Sequence, residues 1–258
     1  MITNSQSGTT IHEIESGIYR ISTPVPPEAM PGGFSFNQYL VLDEEPLIFH
    51  TGPRAMFPLV REAIETVLPV SRLRWISFSH FEADECGALN DFLALAPNAS
   101  PLSSRVAALV SVNDTALRPA RALGDGETIS TGSRTLEWID APHVPHNWET
   151  GYLFDRTTRT LFCGDLFTQP GHQTPAVTES DILEPTEAFR NGGIEGGMYD
   201  YWSRSAGTEA VIERIASTNP LTLACMHGSA WRGADARPML RELGRRVNAA
   251  REEPATRR

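Results

Sequence analysis

His80-Phe81-Glu82-Ala83-Asp84-Glu85 sets three metal-ligating side chains at alternate positions. Successive side chains of extended backbone point to opposite sides, so His80, Glu82 and Asp84 can converge on one side there. Trp75-Ile76-Ser77-Phe78-Ser79 before this stretch reads as a buried strand, and Cys86 to Leu95 after it reads as a short helix. A strand end that opens into a helix is where α/β proteins place their chemistry. Asp84 and Glu85 also have a plainer reading, as charged residues at a helix start.

Working outward, residues 54–68 carry Met56, Leu59, Val60, Ile64, Val67 and Leu68 at helical spacing. A short buried strand over 46–49 precedes them, so strand, helix and the strand before His80 make a βαβ unit. Strands are expected over 18–25 and 36–42, with a Pro/Gly-rich loop between them. Hairpin patterns follow: 127–129 with 135–139 around Ser130-Thr131-Gly132-Ser133, and 151–154 with 160–163 around Asp155-Arg156-Thr157-Thr158. Residues 168–200 are rich in Pro, Gly and acidic side chains and read as a long loop with room for short helices, a class of segment that is often functional. Helices over 206–216 and 234–247 flank a strand over 221–225. No repeat or linker breaks the chain, so one domain over residues 1–258 is expected, with its core at about 15–250.

The 258 residues can bury about three quarters of the unfolded surface without disulfides. The formal net charge is −10 and no basic run occurs, which argues against nucleic acid as the main partner. Every basic residue is Arg. Cys86, Cys163 and Cys225 are too scattered for a metal knuckle or a disulfide framework, and a reducing cytoplasmic setting is the simplest expectation. Cys163 and Cys225 read as core residues. Cys86 reads as core too, with a redox-sensitive thiol as the alternative. The polar stretch Met1 to Thr10 lacks the apolar centre of a signal peptide, and no apolar run approaches a membrane span.

Three further strand ends carry candidate ligands: His146 beyond Ile139, Asp165 after Leu161-Phe162-Cys163, and His227 after Leu223-Ala224-Cys225. Alone, each has the plain reading of a surface or hydrogen-bonded core residue. Together with His80, Glu82 and Asp84 they could hold two metal ions, with Asp165 bridging. Ala141-Pro142-His143-Val144-Pro145-His146 offers two histidines; spacing favours His146, and His143 is the alternative. His172 reads equally as an outer hydrogen-bond donor or a plain loop residue. Trp148, Tyr199 and Tyr201 read as pocket-lining or core.

Over roughly residues 15–235 the chain resembles the metallo-β-lactamase superfamily, whose fold is an αββα sandwich. Asn37-Gln38-Tyr39-Leu40-Val41 and Leu47-Ile48-Phe49-His50-Thr51-Gly52 are similar to its opening strands and LIDTG turn, and Phe162-Cys163-Gly164-Asp165 to its FxGD strand end. Within it, the HxExD pattern of His80-Glu82-Asp84 and the late His227-Gly228-Ser229-Ala230-Trp231-Arg232 resemble the diiron domain of flavodiiron and oxygen-binding diiron proteins. That resemblance implies His80, Glu82 and His146 on one iron, Asp84 and His227 on the other, and Asp165 bridging. Glu85 departs from the pattern where the wider family has a second-metal His, and His50 where it has the LIDTG Asp.

Three carboxylates and three imidazoles suit iron or manganese, although zinc can compete. The expectation is therefore a non-haem diiron protein that binds or reduces O2 or NO, either an oxygen sensor or an oxidoreductase. Flavodiiron proteins draw electrons from a flavodoxin-like domain. No room for one and no Gly-rich phosphate loop are evident, so an external electron donor or a signalling partner is expected. Self-association is compatible with the sequence. A dinuclear hydrolase acting on a thioester, lactone or phosphodiester is the alternative, and Glu82 and Glu85 in place of histidines count against it. A structural module with a degenerate metal site is the third reading.

Overall fold

The structure is a computed structural model describing residues 1–172, 174–192 and 200–252. Among these residues the strands form two sheets. The first runs in chain order from Ile2–Asn4 through Thr9–Glu15, Ile18–Val25, Phe34–Val41, Leu47–Phe49, Trp75–Ser77 and Ser100–Ser104 to Arg121–Leu123. It is antiparallel up to Leu47–Phe49 and parallel beyond it. The second is ordered Val177–Thr178, Ala230–Arg232, Thr222–Cys225, Thr160–Gly164, Gly151–Asp155, Thr135–Asp140 and Thr128–Ser130.

Alternation along the strands builds four layers. Tyr39, Leu47, Phe49, Trp75, Trp138, Phe162 and Ala224 pack between the sheets. Their neighbours Leu40, Ile48 and Ile76 point the other way, against Val60, Ile64, Phe92 and Leu93 of the first helical layer. Leu161, Cys163, Leu223 and Cys225 likewise meet Ile212, Ile215, Leu240 and Leu243 on the far side. Side chains at period two on strands and 3.6 on helices leave no other stacking that buries both faces. The result is the αββα sandwich.

The βαβ unit forms as expected, with Leu47–Phe49 parallel to Trp75–Ser77. Its helix is shorter than the periodicity suggests: a 3-10 turn over Arg54–Met56 leads into an α-helix over Phe57–Glu65 with a proline in its first turn. The expected 86–95 helix is two pieces, Ala83–Cys86 and Leu89–Leu95. A β-carbon on Gly87, between them, would stand 2.3 Å from the Ala83 carbonyl oxygen. The long acidic segment contains a ten-residue helix, Leu183–Gly192, and a short strand, Val177–Thr178. The last two helices run Thr208–Ser217 and Arg237–Glu252. No helix among the described residues is long and apolar enough to cross a membrane.

Candidate metal centre

The six candidate residues sit beyond strands of both sheets, on loops and short helical turns at one edge of the sandwich. The extended-backbone account of the opening stretch needs correction. The strand ends at Ser77, the chain turns with Glu82 N–H donating to the His80 carbonyl (3.2 Å), and Asp84 lies inside the Ala83–Cys86 helix. His80, Glu82 and Asp84 share one region because a turn and a helical start fold them together, not because a strand alternates.

His80 Nε2 lies 2.8 Å from Glu82 Oε2 and 2.8 Å from His146 Nε2, which is 3.1 Å from the same Glu82 oxygen. His227 Nε2 lies 3.5 Å from Asp84 Oδ2. Asp165 stands between the two groups. Its Oδ1 is 3.2 Å from His227 Nε2, and its Oδ2 is 3.8 Å from both His80 Nε2 and His146 Nε2. His143 is exposed and has positive φ, so the structure brings His146 and not His143 into the cluster.

The imidazoles are held from behind. His146 Nδ1 donates to the Tyr201 carbonyl (3.0 Å) and His227 Nδ1 to the Ser35 carbonyl (2.8 Å). A carbonyl only accepts, so Nδ1 carries the proton and, in the neutral ring, Nε2 turns a lone pair into the cluster. His80 Nδ1 meets Ser79 Oγ at 3.0 Å, and the same hydroxyl reaches buried His50 Nε2 at 3.1 Å. This is the arrangement in which metal-binding histidines are oriented by a partner on the other ring nitrogen. Ser79 was not legible as a site residue. The signal was its place directly before His80, on the side opposite the ligand face.

Charge is concentrated here. Hydrogen bonds from His146 and His80 hold the Glu82 carboxyl down at about 2, against the pull of burial. Burial also opposes ionisation of Asp84 and Asp165, yet His227 holds both below the ordinary carboxylate range. Burial would lower His227, but Asp165 and Asp84 outweigh it and raise it to about 10. Burial takes His50 down to about 3, against the opposing pull of Asp165, so its ring is neutral. Asp165 Oδ1 is buried without a hydrogen-bond donor. Lone pairs of three imidazoles and oxygens of three carboxylates thus face one space, a donor set that fits two divalent cations.

The loop beyond Thr222–Cys225 is pinned by the first sheet. Asn37 Nδ2 donates to the carbonyls of Cys225 (2.9 Å) and Gly228 (2.8 Å), Tyr39 OH to that of Cys225 (2.6 Å), and buried Arg20 to that of Gly228 (2.6 Å). At the neighbouring strand end, Gly164 takes φ +47, and a β-carbon there would meet Ser79 Oγ at 2.7 Å. Glycine is what lets Asp165 and His80 come together at that point.

An apolar cavity of about 420 Å³ opens onto Glu82, Asp84, Asp165 and His227. Met30, Phe34, Phe36, Phe189 and Tyr201 line its walls. Trp148 is exposed and Tyr199 lies outside the described residues. His172 packs on Gly33, where a β-carbon would stand 2.6 Å from its Nδ1. Cys86 is buried, its Sγ donates to the Glu82 carbonyl, and burial pushes its thiol up to about 12, which answers the redox-thiol alternative in favour of packing.

Residues 34–228 match the family model described as ODP family beta lactamase, a span that holds all six cluster residues. The chain belongs to that family. Among the family's relatives, a Nostoc sp. protein named "Putative diflavin flavoprotein A 2" is 28% identical over 62% of this chain and 27% of its own length. The anaerobic nitric oxide reductase flavorubredoxin of Salmonella arizonae is 24% identical over 78% of this chain and 42% of its own. The ODP family beta lactamase chain therefore spans between a quarter and about two fifths of these relatives. The rubredoxin oxygen:oxidoreductase of Desulfovibrio gigas superposes with a TM-score of 0.77 at 18% identity, over 95% of this chain and 63% of that one. That likeness establishes the metallo-β-lactamase-like fold.

Proposed function

We propose that this chain is a non-haem diiron protein that binds or reduces O2 or NO. In this reading His80, Glu82 and His146 hold one iron, Asp84 and His227 hold the other, and Asp165 spans them. The observation that carries it is the position of Asp165, whose two oxygens face different halves of the donor set. Zinc has no redox chemistry, whereas two ferrous ions, when bound, supply electrons to a diatomic ligand. The protein's own part is positional. Backbone carbonyls and Ser79 fix the imidazoles, the carboxylates offset cationic charge, and the aromatic cavity admits small apolar ligands. The relatives named as nitric oxide reductase and oxygen oxidoreductase support the reaction class. Electrons would come from a donor outside the β-lactamase-like unit, in a reducing cytoplasmic setting.

The test is metal analysis joined to anaerobic spectroscopy. Protein expressed with iron should carry about two iron ions per chain, and the reduced form should gain a near-ultraviolet or visible band when O2 or NO is admitted. Zinc-only occupancy, a silent spectrum and hydrolysis of a thioester, lactone or phosphodiester would overturn the proposal.

A further inference from the structure

Cys163 and Cys225 are nucleophilic side chains that the six-residue set leaves unused. Both are free and fully buried, and their Sγ atoms lie 3.8 Å apart. Three cysteines occur in 258 residues, and these two meet although 62 positions separate them. They belong to neighbouring parallel strands, Thr160–Gly164 and Thr222–Cys225. Phe162 pairs with Ala224 and Gly164 with Cys225, so Cys163 stands in the offset between the two pairs. Both side chains leave the sheet on the same side, towards Ile212, Ile215 and Leu243. Adjacent strands run about 4.8 Å apart, inside the roughly 4.4–6.8 Å between α-carbons that a disulfide spans. Joining the two sulfurs therefore needs side-chain rotation and no new path for the backbone.

We propose that Cys163 and Cys225 are a redox modification site, closed to an intramolecular disulfide by hydrogen peroxide. The peroxide first transfers one oxygen atom to one thiol, giving a sulfenic acid and water. The second thiol then displaces that oxygen as water, and the S–S bond forms. Two thiols and one peroxide give one disulfide and two waters, and the peroxide takes the two electrons. The step does not depend on the diiron reading. Burial pushes the Cys163 thiol up, and the thiolate is the form that attacks, so the reaction runs over hours. A small uncharged oxidant is the kind that enters a packed interior. In a reducing setting such a pair stays open until an oxidant arrives, the pattern of a sensing disulfide and not of a structural one. The bond reaches the metal centre through the chain, because Cys163 stands two residues before Asp165 and Cys225 two before His227. Closing it ties the strand that delivers the central carboxylate to the strand that delivers a histidine of one half.

The test uses the full chain with Zn(II), which has no redox chemistry of its own, and in parallel without metal, so a failure of the diiron reading leaves it standing. The protein is held for hours in millimolar hydrogen peroxide, unfolded in iodoacetamide, digested and weighed by mass spectrometry. The intact chain should lose two hydrogen atoms, Cys86 alone should be alkylated, and a peptide pair joined through Cys163 and Cys225 should be found. Dithiothreitol in denaturant should reverse the loss. The bond closes a loop across 62 positions, which should raise the melting temperature by about 10 °C over the reduced protein. Cys86→Ala should behave as the native protein. Cys163→Ala and Cys225→Ala each replace one small buried side chain by another and should show neither the link nor the rise. Three alkylatable thiols after the exposure would overturn the inference. So would sulfinic or sulfonic acid at Cys163 or Cys225 with no joined peptides, or a link through Cys86. A linked protein that melts below the reduced one would mean that the bond forms in opened molecules, and would overturn it as well.

Discussion

Ser79→Ala tests whether the cluster is oriented from behind. The Ser79 hydroxyl is the one hydrogen-bond partner of the His50 ring among the described residues, since His50 Nδ1 is already unpaired and buried. It is also the partner of His80 Nδ1. Removing it strands two buried ring nitrogens, at a cost of about 1–3 kcal/mol. For a chain of this size, where 1 kcal/mol shifts the melting temperature by about 2–4 °C, that lowers the melting temperature of the metal-free protein by about 2–12 °C. The effect on metal is separate. Losing an outer partner of a ligating histidine costs about 10–100-fold in affinity, equivalent to about 1.4–2.7 kcal/mol. Thermal unfolding of the metal-free protein and Mn(II) titration measure the two effects independently. If His50→Leu is added, the stability loss should be partly recovered, because the stranded His50 nitrogens are gone, while metal affinity stays low. Native affinity in Ser79→Ala would refute the idea that this hydroxyl aims His80.

His146→Ala should remove most bound metal while His143→Ala leaves it near the native content, and the reverse ranking in an elemental assay would contradict the cluster geometry. Asp43 accepts hydrogen bonds from Thr131, Ser133 and Arg134, which tie the turn after the Phe34–Val41 strand to a hairpin of the second sheet. Burial opposes them, but they hold its carboxyl at about 2, below the ordinary 3.8. Its stabilisation is therefore complete above about pH 4 and lost as pH falls through 2; because Asp43 is only half-buried and water screens it, that amounts to only about 1 kcal/mol. Asp43→Asn should flatten this part of the acid-unfolding curve, and an unchanged curve would count against it. The three thiols are free and buried, so a thiol reagent at pH 8 should label none within minutes in the folded protein and all three in denaturant. Rapid stoichiometric labelling of the folded chain would show an open thiol.

Strands whose two faces are both buried announced themselves, because continuous apolar runs such as Leu47–Phe49 and Leu161–Cys163 have few other uses. Ser100–Ser104 escaped notice because three of its five residues are serine; it is a strand through its pairing with Trp75–Ser77 and not through its own propensity. Thr9–Glu15 was hidden the same way, since its apolar residues are Ile11 and Ile14 alone and its third buried side chain is Thr9. The six clustered residues were legible because strand ends mark them. Their supports were not: the acceptors behind His146 and His227 belong to Tyr201 and Ser35, 55 and 192 residues away, and are peptide carbonyls that no residue type specifies.

Those two carbonyls are present whatever side chain stands at positions 35 and 201. Substitution at 201 changes the cavity wall and leaves the acceptor behind His146 in place, so genetic drift there can reshape which molecules approach the cluster without removing that support. A scan of side-chain replacements is blind to these contacts. Only chemical replacement of the peptide unit, or a shift in the path of the chain, would expose how much of the site is held by groups the genetic code does not vary.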